Sequence, residues 1–228
     1  MTPRRLAVGL AVMAAVAAAA LAIRAMIGSP QSITVCPEGI MGTDCHLTAV
    51  APKGQPRLAE QGAEAAERRL RKLEALMSTY IKLSELSRAN DANAGQVVRL
   101  SPETMEVLRL SKQLCQDTQG AFDVTCLPLF RLWHDAGDAN RLPTAADIAA
   151  ARAKCGWDKW TLKDGGAVKS VDGAGIGLGG VAKGWAVDQA AEAMKSAGCT
   201  GGLVEVGGDI RCFGRPVHEG KWIVAVQN

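Results

Sequence analysis

Aromatic side chains are scarce: three Phe, one Tyr and five Trp make up 4% of the 228 residues. With so few flat rings, a groove that stacks successive nucleic-acid bases is excluded. Only three histidines occur and no C-x-x-C pair is present, which excludes the common zinc clusters. Charge of one sign is also lacking, since the formal net charge is +3. The one dense basic run, Arg68, Arg69, Arg71 and Lys72, is interleaved with Glu64, Glu67 and Glu74. It reads as the solvated face of a helix and not as a nucleic-acid patch. No internal repeat is visible.

What is present is ample for a packed domain: 48% apolar and 21% charged residues. The apolar residues are unevenly spread. Arg4 and Arg5 precede an unbroken apolar run of 18 residues, Leu6 to Ile23, closed by Arg24. With no polar face, this run reads as an export signal or membrane anchor at 1–28. The preceding positive charge places the rest of the chain outside the cytoplasm. Seven cysteines follow. In an oxidising compartment Cys36 and Cys45 are the nearest candidates for pairing, but spacing alone cannot assign a bond.

Residues 29–39 read as a linker and 40–228 as one domain. A strand is expected at 45–52, and apolar periodicity gives a helix over 57–77. Ser101, Pro102 and Glu103 start a second helix that Gly120 stops. Thr144 and Asp147 form a capping pair for a third, stopped by Gly156. A hairpin is expected around Asp164-Gly165-Gly166. A glycine loop then opens a helix at 181–197, followed by strands at 203–206 and 222–226. Mixed helices and hairpins indicate an α+β fold with mixed or antiparallel sheets packed against helices.

The loop "GAGIGLGGVAKGWAVD" (173–188) carries six glycines in twelve residues. Such a turn opening a helix can bind an anion, because unpartnered N–H groups and the helix dipole favour negative charge. Lys183 in the first helical turn opposes that dipole, which a bound phosphate would explain. The bland alternative is a tight turn needing positive φ. A dinucleotide (Rossmann) site is a further reading, with Glu205 as the ribose acid. Against it, "AVKSVDGAG" is not the apolar run of a buried parallel strand.

Three other stretches accompany the loop: "IMGTDCHLTAV" (40–50), "LMSTYIKLSELSRAND" (76–91) and "GAFDVTCLPLFRLW" (120–133). In this order, followed by "GLGGVAKGWAVD", they resemble the ApbE-type FAD:protein FMN transferases. The resemblance spans about 40–228 and implies the flavin transferase fold. It also implies an exported or membrane-attached bacterial enzyme that binds FAD and Mg²⁺. Such an enzyme transfers FMN to a Thr or Ser hydroxyl of a target flavoprotein in a respiratory redox complex, releasing AMP; some members hydrolyse FAD instead.

By the same resemblance, Met41, Tyr80, Ala121, Phe122, Asp123, Gly177 and Lys183 are FAD contacts, and the Gly180 carbonyl is a metal ligand. Thr43, Ser78 and Asp209 are scaffold. Two departures stand out: Gly177 replaces a frequent Asp, and Trp185 a frequent Tyr. No match is found for the family's later metal-binding Asp and Thr or its catalytic base. His46, His134 and His218 do not fit that role, so the catalytic residues are unknown and expected in a C-terminal part beyond Asn228. An exported FAD-binding or flavin-delivery module without turnover is the alternative of a different class.

Overall fold

Apolar residues recur every third or fourth position in α1 (Arg57–Met77), and that stripe is the centre of the core. Ala59, Ala63, Ala66, Leu70, Leu73 and Met77 are buried along it. The structure, a computed structural model, describes residue 16 and residues 31–163, 165–217 and 220–225. The rest of the expected anchor and His218 lie outside the described residues. Among those described, no helix is long and apolar enough to cross a membrane.

Helix α1 packs on a four-stranded antiparallel sheet of order β1-β2-β6-β7. Its strands are β1 (Gln31–Val35), β2 (Cys45–Ala51), β6 (Gly201–Val206) and β7 (Asp209–Gly214). Strand β2 alternates as a half-buried strand should: Cys45, Leu47 and Ala49 face the core, and His46 is exposed. Leu47 sits opposite Val204, and Cys45 opposite Val206, so β6 turns the same face inward. Gly62 lets α1 approach closely. A Cβ there would lie 2.2 Å from the Cys199 sulfur. Helix α6 (Ala182–Ser196) lies beside α1 on the same sheet face, burying Trp185, Ala186, Val187, Ala190, Ala191 and Met194.

A second, three-stranded antiparallel sheet has the order β3-β5-β4. It comprises β3 (Val97–Arg99), β4 (Trp160–Lys163) and β5 (Gly166–Lys169). Among the described residues, α2 (Glu85–Asp91) leads from α1 into β3, and α3 (Pro102–Asp117), α4 (Leu127–Asp138) and α5 (Ala145–Arg152) lie between β3 and β4 of this same sheet. The expected caps form. The Ser101 side chain accepts from Thr104 N, and Thr144 with Asp147 makes a reciprocal capping box.

The basic run is more than a solvated face. Arg68 and Arg71 pair with Glu64 and Glu67 one turn back. Arg69 instead reaches Glu103 of α3 at 3.0 Å and Gln189 of α6 at 2.7 Å, while Lys72 Nζ lies 2.6 Å from the same Glu103. The hydrogen bond from Lys72 is the largest influence holding the Glu103 carboxyl down at about 2.

Three expectations are corrected. Residues 31–35, placed in the linker, form β1 and pair with β2 from Gln31↔Ala51 to Val35↔Leu47. The hairpin partner of β6 was not anticipated: Gly207 and Gly208, both at positive φ, turn the chain back into β7. Residues 222–225 are not a strand, and Ile223 is 91% exposed. Apolar residues alone do not make a strand; a neighbouring backbone must accept its hydrogen bonds. Among the described residues all seven cysteines are free thiols, Cys36 and Cys45 included. Burial is the main reason that the Cys45 thiol is pushed up to about 11.

Candidate functional site

The first wall is the turn Ile40–Thr43. Thr43 N donates to Ile40 O at 3.1 Å, closing a tight turn with Met41 at φ 50 and Gly42 at φ 68. Gly suits that region, but Met41 is held there against a steric cost of about 1–2 kcal/mol. The hairpin turn behind it supplies the support. Gly207 N donates to Asp44 O at 3.0 Å, and a Cβ on Gly207 would meet Thr43 Cγ2 at 2.8 Å.

The second wall is the segment after α1. Ser78 leaves the helix in extended conformation, and its Oγ accepts from Tyr80 N at 3.2 Å. The S-E-L-S run then fixes the loop from below. Ser84 Oγ donates to Ser78 O at 2.7 Å and accepts from Ser87 N at 2.9 Å, which caps α2. Glu85 accepts from Ser101 N and Oγ, both 2.8 Å, and from Thr104 Oγ1 at 2.6 Å, which ties α2 to the start of α3. The held loop presents Tyr80 outward, 98% exposed.

The third wall is the glycine loop. Gly175, Gly177, Gly179 and Gly180 are not at positive φ; only Gly173 is. The tight-turn reading is therefore not why these glycines are there. The reason at three of them is close packing. A Cβ at Gly175 or Gly177 would stand 3.2 or 3.3 Å from Leu127, and one at Gly180 would stand 3.2 Å from Phe122. The loop runs into α6 with no side-chain cap. Val181 N and Ala182 N both donate to Leu178 O. The N–H groups of Lys183 and Gly184 have no hydrogen-bond partner among the described residues.

These walls enclose a cleft of about 550 Å³. Met41, Leu73, Met77, Ile81 and Leu178 make it largely apolar, with Glu74, Ser78, Thr79, Tyr80 and Lys183 as its polar residues. Lys183 forms no ion pair with a described residue. The cleft thus combines a cation and a helix N-terminus, suited to phosphate, with sulfur and aliphatic surface, suited to a flat ring.

Of the residues expected at the site, Met41, Tyr80 and Lys183 line this cleft together. Gly177 and Ala121, Phe122 and Asp123 do not line it but run alongside. Phe122 lies against Gly180, and Gly177 N donates to Val124 O at 2.8 Å. Asp123 Oδ1 accepts from Thr125 N at 2.8 Å and Thr125 Oγ1 at 2.7 Å, so that oxygen is already engaged in its own turn. Residues missed by the sequence reading are Ser84, Glu85, Ser87 and Asn90. Their signal was the polar spacing of "SELSRAND" on a short helix, where Ser87 and Asn90 are buried.

Glu205 is not a ribose acid. It faces His46 across β2 and β6 at 2.6 Å and accepts from Gly208 N at 2.8 Å. Burial pushes its carboxyl up, but the His46 and Gly208 hydrogen bonds outweigh it, and the net shift is downward. The sheets are antiparallel, and no parallel strand precedes the glycine loop among the described residues, so the Rossmann reading fails. His134 lies on the surface near Asp138 at 3.3 Å.

No side-chain cluster for a divalent metal is present among the described residues. No group of three His, Cys, Asp or Glu side chains among them could hold one. Gly180, expected as a metal ligand through its carbonyl, has Phe122 beside its Cα.

The sequence pattern of the ApbE family matches residues 41–228. An FAD:protein FMN transferase of Vibrio cholerae is 32% identical over 191 residues, 82% of this chain and 56% of the relative. One of Haemophilus influenzae is 32% identical over 194 residues, with the same coverage of 82% and 56%. The chain therefore spans little more than half the length of these curated relatives. Among solved structures, the Vibrio cholerae flavin transferase ApbE superposes with a TM-score of 0.76 at 29% identity, over 86% of this chain and 64% of that one. The apo flavinyl transferase ApbE of Pseudomonas stutzeri gives 0.74 at 29% identity, over 82% and 60%.

Proposed function

This chain belongs to the ApbE family, and from that premise we propose that its cleft binds FAD for transfer of FMN to a protein hydroxyl. The observation that carries the proposal is the convergence of Met41, Tyr80 and Lys183 on one cleft at the uncapped start of α6. These residues come from three separate motifs.

In the proposed reaction, a Thr or Ser oxygen of the acceptor attacks the FMN-side phosphorus. The new P–O bond replaces the pyrophosphate P–O bond, AMP leaves, and the hydroxyl proton goes to a base. Lys183 and the free N–H groups of Lys183 and Gly184 hold pyrophosphate oxygens and offset their charge. Met41, Met77, Ile81 and Leu178 exclude water from the ring face, and Tyr80 closes over it. Resemblance implies Mg²⁺, which would offset pyrophosphate charge when bound, and the described residues do not by themselves assign its ligands. The described residues likewise assign no base.

The acceptor is proposed to be a flavoprotein subunit of a respiratory redox complex. The apolar run after Arg4 and Arg5 supports attachment to the inner membrane, with the domain facing the periplasm.

The test is to mix the protein with FAD, Mg²⁺ and a Thr-containing acceptor peptide. AMP release with a one-FMN mass gain on the peptide is the expected result. AMP without the mass gain indicates FAD hydrolysis. FAD binding with no AMP release assigns the cleft to flavin holding or delivery. No FAD binding overturns the proposal.

A further inference from the structure

Lys169 is a buried cation that the proposed reaction does not use. It stands at the end of β5, 3% exposed, and no carboxylate pairs with it directly among the described residues. Its Nζ donates to two backbone carbonyls, Asn90 O at 2.6 Å and Ala174 O at 3.2 Å. Asn90 is itself 4% exposed. Its side chain behaves as a strand neighbour for the glycine loop: Oδ1 accepts from Ile176 N at 2.8 Å, and Nδ2 donates to Ile176 O at 2.9 Å. Two loop residues, Ala174 and Ile176, are thus gripped by one strand end and one short helix. Burying an ammonium is expensive unless its donors are used, so such a group persists where the carbonyls it satisfies need holding. Burial pushes the Lys169 pKa down, against the opposing influence of Asp172 and Asp91.

Besides one parallel bridge, Cys126↔Gly175, and the Gly177 N to Val124 O bond, the loop belongs to no named strand or helix before α6, so side-chain contacts help set its path. From Ile176 the chain needs only three more residues to reach Gly179, which lines the cleft, and seven to reach Lys183. An error at Ile176 is carried directly into the cleft. We propose that Lys169 and Asn90 are positioning residues: a buried clamp that sets the path of the glycine loop and thereby the placement of Gly179 and Lys183 in the cleft. Neither residue lines the cleft.

The consequence for FAD affinity rests on the flavin reading; the clamp itself does not. The test therefore has two arms on the full chain: amide hydrogen exchange at 174–180 without ligand, and FAD titration. In the wild type, the Ile176 and Gly177 amides should exchange at least ~100-fold more slowly than those of Gly179 and Gly180. Lys169→Met should speed exchange at 174–177 and weaken FAD binding about tenfold, and Asn90→Leu should do the same. Asn90→Asp keeps the acceptor for Ile176 N and should recover part of the protection.

Two controls separate positioning from general destabilisation. Lys163→Met, on the exposed part of the same hairpin, should change neither reading. Leu108→Ala, a core truncation in α3, should lower the melting temperature and leave FAD affinity unchanged. The proposal is overturned if folded Lys169→Met shows wild-type exchange at 174–177, or if Leu108→Ala weakens FAD binding as much. Should Lys169→Met fail to fold, the wild-type pattern decides, and equal exchange at Ile176 and Gly179 sinks the clamp. If the wild type binds no FAD, the flavin reading fails while the exchange arm still judges the clamp.

Discussion

The two halves of the glycine loop are built on opposite terms. From Ala174 to Leu178 the chain is closed in. Ala174, Ile176 and Leu178 are buried, Ile176 is bonded at both N and O by Asn90, and Gly177 N is bonded to Val124 O. From Gly179 to Gly184 it is open. Gly179 and Gly180 are exposed, α6 has no side-chain cap, and Lys183 has no ion-pair partner among the described residues. Glycines occur in both halves, yet they serve differently. Those at 175 and 177 admit Leu127, while Gly179 and Gly184 have nothing within 4 Å of a would-be Cβ. The same residue type packs tightly in the first half and, at Gly179 and Gly184, leaves room in the second, where Gly180 alone closes against Phe122. A segment that must bind needs unsatisfied groups, and they can be kept in place only if the adjoining segment is over-satisfied.

The comparison breaks most severely if the closed half is hollowed out. Ile176→Ala, at a 1% exposed position, should cost about 2–4 kcal/mol in chemical denaturation. Gly179→Ala, in open space, should cost far less.

A second prediction contrasts a paired cation with an unpaired one. Lys72 and Arg69 hold the Glu103 carboxyl at about 2, well below its ordinary 4.5. A depressed carboxyl pKa adds stability above the ordinary value, and that stability is lost as pH falls from about 4.5 toward about 2. Acid titration should show this loss, on the order of 2 kcal/mol, and Glu103→Gln should lack it, being less stable at neutral pH by a similar amount. Lys183→Met, removing the unpaired cation, should instead leave stability within about 0.5 kcal/mol and weaken FAD binding about tenfold, less so in high salt.

The smallest effect sharpens the picture at the first wall. Met41→Gly relieves the left-handed backbone but frees the unfolded chain, so stability should rise by no more than about 1 kcal/mol. FAD affinity should nonetheless fall, because the thioether surface is lost; calorimetry of both properties checks the divergence.

Local signals made much of the fold legible in advance. The α1 stripe, the Ser101 and Thr144 caps, and the hairpin leading into β5 each depend on residues a few positions apart. Strand β1 was hidden because "QSITV" is half polar, as an edge strand with an exposed face can be, and its partner β2 begins ten residues further on. Strand β7 was hidden because Arg211 and Asp209 look like loop residues, although Arg211 reaches Asp188 of α6 at 3.2 Å. Of the site, the motif positions could be read but not their grouping. Met41, Tyr80 and Lys183 share the cleft, whereas Asp123 is engaged in its own turn. The Asn90 and Lys169 contacts lie beyond such reading, since Asn90 meets Ile176 across 86 positions and Lys169 meets Asn90 across 79.

The most direct test of the divided loop is hydrogen exchange with and without saturating FAD. The account predicts new protection at 179–184 and at Met41 and 78–81, with 174–178 already slow and unchanged. Protection that appears at 174–178 while 179–184 stays fast, or no change at the cleft at saturation, would contradict it.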